Sequence, residues 1–245
     1  MNIENKIQSI YDNLRPNRYG LKKYLIKDNK KHPFAIICPG GAYGKVCSYV
    51  EGMPIAKELN KLGYHAFVVY YRTNEKAIYP NPHEDLYKGI SEVLNNKDKW
   101  NLDTDKWSLW GFSAGGHLVS SYCTLDYDLK PEVLVLSYPV ITLKEYTHKG
   151  TLKNLLGINP DLELIERLSV ENNVKEDYPP TFIWNGDADK SIDPINSKMM
   201  VKALNLSGIK YEYREYENVG HGVGLAKGTN AENWLNEALD FISKL

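Results

Sequence analysis

Cysteine is scarce in this 245-residue chain, and Cys38, Cys47 and Cys123 form an odd set with no Cys-x-x-Cys spacing. That pattern excludes a disulfide framework and a thiolate zinc site. An excess of either charge is also lacking: 30 basic residues face 31 acidic ones, for a formal net charge of −1. The chain therefore carries no electrostatic footprint for nucleic acid or an anionic membrane. Apolar runs are strand-length, far short of the roughly 20 residues of a membrane-spanning helix. The opening residues, Met1-Asn-Ile-Glu-Asn-Lys-Ile-Gln-Ser-Ile-Tyr-Asp12, place charge and polarity where a signal peptide needs an apolar centre. Together with the odd cysteines this points to a reducing cytoplasm. No internal repeat, low-complexity block or Pro/Gly/Ser-rich linker divides the chain. Metalloprotease, P-loop and dinucleotide motifs are all missing, so neither a metal nor another cofactor is expected.

What is present is an ordinary globular balance, 42 % hydrophobic and 25 % charged. The length suits one large α/β domain over 1–245. Short β-rich runs lie at 22–26, 34–38, 66–70, 107–110, 133–137, 181–184 and 211–216. The middle ones are nearly continuous apolar stretches, as in strands covered on both faces of a parallel sheet. The run at 211–216 alternates tyrosine with charge, which suits an edge. Helical spacing appears between them at 54–62, 85–94, 115–123 and 195–206, and again at 233–245; Gly63 reads as a C-terminal cap of the first. Strand–helix alternation of this kind predicts a mostly parallel sheet flanked by helices. The segment 139–180 breaks the rhythm and reads as a small cap. In such a sheet the chemistry sits beyond the carboxyl ends of the strands.

Gly111-Phe-Ser113-Ala-Gly115 follows a predicted strand and precedes a predicted helix. Glycines on either side permit a sharp turn that lifts a serine hydroxyl into the open, and the helix behind it favours negative charge there. The alternative is a tight turn of structural use only. A serine needs a base. Of the six histidines, His32 and His65 precede strands, His83 lies in a proline-rich loop, and His117 sits too close on the following helix. His148 and His221 remain, and His221, in a glycine-rich loop after the last strand, is the preferred base. His148, inside the cap, reads as a substrate contact. The imidazole needs a carboxylate. Asp189 is preferred in the loop after 181–184 because Ile192 can anchor that loop, with Asp187 as the alternative. Amides for an oxyanion come from Ala114 and from Gly41 or Ala42 in Cys38-Pro-Gly-Gly-Ala-Tyr43. Tyr43, Tyr138 and Trp184 fall beside these loops, where aromatic faces could stack on a sugar; the competing reading makes them core.

The pieces Cys38-Pro-Gly-Gly-Ala-Tyr43, Glu51-Gly-Met-Pro54, Tyr70-Tyr-Arg72, Gly111-Phe-Ser-Ala-Gly-Gly-His-Leu118, Ser137-Tyr-Pro139 and Gly220-His-Gly222 occur in that order. In them the chain resembles the small bacterial α/β-hydrolases of the acetyl-esterase/lipase type, including acetylxylan-esterase-like and feruloyl-esterase-like members. The resemblance runs from about residue 33 to the C-terminus. It implies an α/β-hydrolase fold and cofactor-free hydrolysis of carboxylic esters, often on acetylated sugars. Such members usually have a third glycine where this chain has Ala42, which implies a slightly smaller acyl pocket. Asn154-Leu-Leu-Gly157 also looks similar and supports a short cap. The expected partner is a small-molecule ester, with acetyl the first acyl group because a short cap cannot cover a long chain. A homo-oligomer is compatible with this composition. Two rivals stand beside the esterase: an amidase or aryl formamidase using the same residues, and a non-catalytic ligand-binding homologue.

Overall fold

The computed structural model describes residues 18–245, so the opening residues read above for an export signal lie outside it. Seven strands form one sheet: β1 (Gly20–Tyr24), β2 (His32–Cys38), β3 (His65–Tyr70), β4 (Leu102–Phe112), β5 (Val133–Ser137), β6 (Thr181–Gly186) and β7 (Tyr211–Tyr216). Their spatial order is β1-β3-β2-β4-β5-β6-β7, antiparallel only between β1 and β3. Every residue of β3, β5 and β6 is buried, as is Phe34–Cys38 of β2, because helices cover both faces. β7 is the outer strand, as its tyrosine–charge alternation predicts.

The helices are α1 (Ser48–Glu51), α2 (Met53–Lys61), α3 (Asn81–Asn95), α4 (Ala114–Thr124), α5 (Lys149–Leu156), α6 (Leu162–Leu168), α7 (Ile195–Leu206) and α8 (Trp234–Ser243). Helix α4 is buried from Ala114 through Cys123, which suits its short, small-residue sequence at the middle of the molecule. Helix α8 drives Trp234 into the sheet centre, 5.2 Å from the Trp184 ring and 5.8 Å from Trp110. The segment between β5 and β6 carries α5 and α6 and lies over the strand ends: Asn154 reaches Ala42 from there.

Two boundaries differ most from the sequence reading, for physical reasons. β4 begins at Leu102, five residues early, because Leu102 pairs with His32 across an irregular register that no apolar pattern announces. Helix α3 starts at Asn81 with Pro82 in its first turn, where a proline costs no hydrogen bond. His83 is therefore not a loop residue. It is buried in that turn, with Nε2 2.8 Å from Ser121 Oγ, and burial pushes its pKa down to about 3.

The direction change in strand order falls between β2 and β4: the chain leaves β2 for β3 on one side and returns to β4 on the other. The carboxyl ends of β2 and β4 thus open a crevice at Pro39 and Ser113, the position where such sheets hold ligands. One charged contact secures the neighbouring β3 end: Asp85 Oδ2 accepts from both the backbone N–H and the Nε of Arg72, each at 2.8 Å. Asp85→Ala removes both bonds, leaving the Arg72 backbone amide unpaired and the guanidinium held only by Asn81 O and Glu84. It should cost about 2–3 kcal/mol in urea unfolding, whereas a loss under about 0.5 kcal/mol would make the contact superficial.

Candidate active site

Ser113 sits at the tip of the turn from β4 to α4 with φ 52° and ψ −120°, a left-handed backbone that L residues rarely adopt. Such strain costs of order 1–3 kcal/mol and must be over-determined by its surroundings. Here Ser113 N–H donates to Ser137 O (3.0 Å), and Ser113 O accepts from Val140 N (3.1 Å) and His117 N (3.2 Å). The flanking glycines are sterically obligatory. A Cβ on Gly115 would lie 2.1 Å from Cys38 O, and one on Gly111 would lie 2.4 Å from Val119 Cγ2. Gly40 passes so close that its Cβ would meet Ser113 Cβ at 2.7 Å.

Two loops bring a histidine and an aspartate to this serine. His221 Nε2 lies 2.9 Å from Ser113 Oγ, and its Nδ1 lies 2.6 Å from Asp189 Oδ2. Asp189 is buried, and its other oxygen accepts from the amides of Ser191 (2.8 Å) and Ile192 (2.9 Å). Ile192 is buried beneath the same loop. Asp187 instead accepts from Asn218 N at 2.7 Å, bracing the two loops against each other. The loops touch where Gly186 runs against Val219: a Cβ there would sit 2.0 Å from Val219 O. Trp234 Nε1 donates to Gly224 O (3.0 Å), so helix α8 anchors the His221 loop from behind.

The loop after β2 runs left-handed through Gly41 (φ 123°), Ala42 (φ 55°) and Tyr43 (φ 57°). Asn154 of α5 donates to Ala42 O at 2.8 Å, tying that carbonyl to the segment between β5 and β6. Gly41 and Ala42 line a cavity of about 310 Å³ together with Ser113, His221, Glu51 and His148. Ala114 opens helix α4 directly behind Ser113. Ser113, His221 and the backbone of the loop after β2 thus share one cavity.

His148 caps α5: its Nδ1 accepts from Thr151 N (3.2 Å) and contacts Thr151 Oγ1 (3.0 Å). Burial, and next the nearby His221, hold its pKa below the ordinary histidine value. A neutral ring with Nδ1 engaged as acceptor carries its proton on Nε2.

The aromatic trio does not line this cavity, and the stacking role read for it is corrected. Tyr43 and Trp184 are completely buried and Tyr138 is 1 % exposed. Tyr43 Oη pairs with His117 Nδ1 (2.9 Å), and Trp184 Nε1 donates to Ser137 Oγ (2.8 Å). Tyr138 lies behind His221, ring centroids 4.9 Å apart, rather than in front of it. Their rings sit next to the loops in sequence but point under them. His117 is packed, with a pKa pushed down to about 4 by burial.

The family model described as BD-FAE matches residues 22–204. The chain belongs to the BD-FAE family. The matched stretch holds Ser113 and Asp189, while His221 lies beyond it and reaches them through the fold. An endo-1,4-β-xylanase B of Butyrivibrio fibrisolvens is 32 % identical over 86 % of this chain and 35 % of that protein. An acetylxylan esterase of Xylanibacter ruminicola is 32 % identical over 76 % of this chain and 40 % of its own. The chain thus spans little more than a third of the length of these curated relatives. Among solved structures, an acetyl ester-xyloside bifunctional hydrolase from Caldicellulosiruptor lactoaceticus superposes with a TM-score of 0.86 at 33 % identity, covering 95 % of this chain and 90 % of that one. The carboxylesterase Cest-2923 of Lactobacillus plantarum gives 0.78 at 25 % identity, with 92 % of each chain covered. These neighbours share the α/β-hydrolase fold of this BD-FAE chain.

Among the described residues no cluster of three or more His, Cys, Asp or Glu could hold a metal ion, and no helix is long and apolar enough to cross a membrane. One site residue had no role in the sequence reading. Glu51 was visible only inside the Glu51-Gly-Met-Pro54 piece, yet it lines the cavity as a buried acid. The strained turn yields a direct expectation for this BD-FAE chain. Gly115→Ala should destabilise by about 2–4 kcal/mol, because the new methyl group meets backbone rather than a mobile side chain. A thermal melt within a degree or so of wild type would show that the turn has room to spare.

Proposed function

We propose that this chain is a serine carboxylic-ester hydrolase acting on short acyl esters, acetyl first, of sugar hydroxyls, as in acetylated xylo-oligosaccharides. The observation that carries it is the hydrogen-bonded series Asp189–His221–Ser113, 2.6 and 2.9 Å, opening on a cavity of about 310 Å³. His221 Nε2 takes the Ser113 proton as Oγ bonds to the ester carbon, and the carbonyl electrons move onto oxygen. The amides of Ala114 and of Gly41 or Ala42 hold that oxyanion. Its collapse breaks the bond to the alcohol, which leaves with the proton from His221. Water then gives its proton to His221, attacks the acyl-enzyme and releases the acid, and Ser113 regains its proton. Asp189 keeps the imidazole in the right tautomer and stabilises its charged form.

The acyl preference follows from the small cavity. The sugar preference rests on His148, whose Nε2–H is a donor at that cavity for a hydroxyl on the leaving alcohol. It also fits relatives whose names include an acetylxylan esterase and an acetyl ester-xyloside hydrolase. A cytoplasmic enzyme of this kind would meet imported acetylated oligosaccharides rather than polymeric xylan.

Hydrolysis of p-nitrophenyl acetate and butyrate by wild type and Ser113→Ala, with EDTA present, tests the reading. Acetate should be the better substrate, and the mutant should lose about four orders of magnitude or more in kcat. Two proteins alike and near background would refute it; activity confined to N-formyl aromatic amides would move the chain to the amidases, and binding without turnover to non-catalytic modules. His148→Ser retains a capping oxygen but removes the ring. It should shift the ratio of kcat/KM for acetylated xylobiose over p-nitrophenyl acetate downward by about tenfold, and an unchanged ratio would dismiss His148 as a sugar contact.

A further inference from the structure

Glu51 ends α1 and is buried at the floor of the cavity, 4 % exposed. Its Oε2 accepts from Gly40 N at 2.7 Å, and its Oε1 accepts from the Tyr138 hydroxyl at 3.1 Å. That hydroxyl in turn accepts from Gly224 N at 3.1 Å. One continuous chain therefore joins the His221 loop, through Gly224, Tyr138 and Glu51, to the Gly40 turn that leads into Gly41 and Ala42. The Tyr138 ring that carries the middle link also packs against the His221 imidazole.

We propose, resting on the ester-hydrolase reading above, that Glu51 is an ionised positioning residue which sets the Gly40–Ala42 amides and supports the positive charge that develops on His221. Both partners present hydrogens to it, and a carboxylate has an oxygen for each. A neutral acid would have to turn one of them around. Every oxygen–hydrogen and nitrogen–hydrogen in the chain then has its acceptor, a fully satisfied buried network of the sort that fixes geometry. His221 is thus influenced by two carboxylates, Asp189 through a hydrogen bond and Glu51 through space.

The groups facing Glu51 come from every element around it: Gly40 N–H and Lys45 from the loop after β2, Tyr71 from the end of β3, Tyr138 from the end of β5, and His221. Burial lifts the Glu51 carboxyl above its ordinary range; the Gly40 amide, His221, Tyr138 and Lys45 all draw it back toward the charged form. His221 itself is faced by Asp189, Ser113, Tyr138, Glu51 and, from α5, His148.

Glu51→Gln tests this with little change of shape, since its oxygen can accept from Gly40 and its NH₂ can donate to Tyr138. The variant should lower kcat for p-nitrophenyl acetate by about 10- to 100-fold with KM within about threefold. Loss of a neighbouring negative charge disfavours the imidazolium, so the His221 titration followed by NMR should move to lower pH by about half a unit or more. A purely structural role would not move that titration. Ser113→Ala runs alongside: a wild type no better than this mutant overturns the hydrolase reading by itself, while the His221 titration still decides the Glu51 coupling. A folded Glu51→Gln protein with wild-type kcat and an unshifted His221 overturns the proposal. If Glu51→Gln fails to fold, Tyr138→Phe cuts the same chain at its middle; it should lower kcat several-fold at similar KM, and wild-type kcat in that variant is equally contrary.

Discussion

Everything at the site depends on how closely three backbone segments approach at the end of β4. Gly115 lies against Cys38 O, Gly40 against Ser113, and Gly111 against α4, at distances that leave no room for a methyl group. This crowding, together with the hydrogen bonds of the Ser113 backbone, holds Ser113 at a positive φ. Relaxation of the turn would bring Gly115 or Ser113 into the β2 end or into β5, where Ser113 N–H is bound to Ser137 O. The strain of one residue is thus carried by the packing of the whole sheet centre, which is also where the buried tryptophans from β4, β6 and α8 meet. A serine hydroxyl presented in this way needs no movement to meet its base.

His221 and Asp189 come from loops, and loops are ordinarily the least rigid parts of a fold. Here each loop is fastened by backbone groups. Asp189 uses one oxygen for two amides of its own turn and the other for His221. Gly186 meets Val219 backbone to backbone, and Asp187 adds a bond to Asn218. The result is a rigid seam from the end of β6 to the His221 loop. The loop after β2 is fastened from the other direction, by Asn154 on α5 and by Glu51 beneath. Preorganisation of this kind lets donors face a developing charge without rearrangement at the moment of reaction.

The parts of this arrangement legible in the sequence are those written locally. A continuous apolar run at 133–137 and tyrosine–charge alternation at 211–216 marked β5 and β7 to the residue, because a strand's pattern is its own. The Gly-x-Ser-x-Gly turn announced itself through its flanking strand and helix. Asp189 was preferred to Asp187 on the Ile192 anchor, and the structure places Asp189 against His221 with Ile192 buried below. What was not legible was direction and distance. Tyr43, Tyr138 and Trp184 adjoin the right loops, but the left-handed backbone at Tyr43 and Tyr138 and the strand pleat at Trp184 turn their rings under the site. Glu51 meets Tyr138 across 87 residues of chain, a contact no spacing rule encodes. Leu102 and His83 were missed for the opposite reason, since a register irregularity and a first-turn proline mask elements that exist.

The most direct measurement is mass spectrometry of the protein quenched during turnover of p-nitrophenyl acetate, followed by peptide mapping. A covalent serine mechanism predicts one added acetyl group on the peptide containing Ser113, absent after Ser113→Ala and discharged by water on standing. Turnover with no adduct on that peptide, or with the acetyl group on another residue, would contradict Ser113 as the nucleophile around which the site is built.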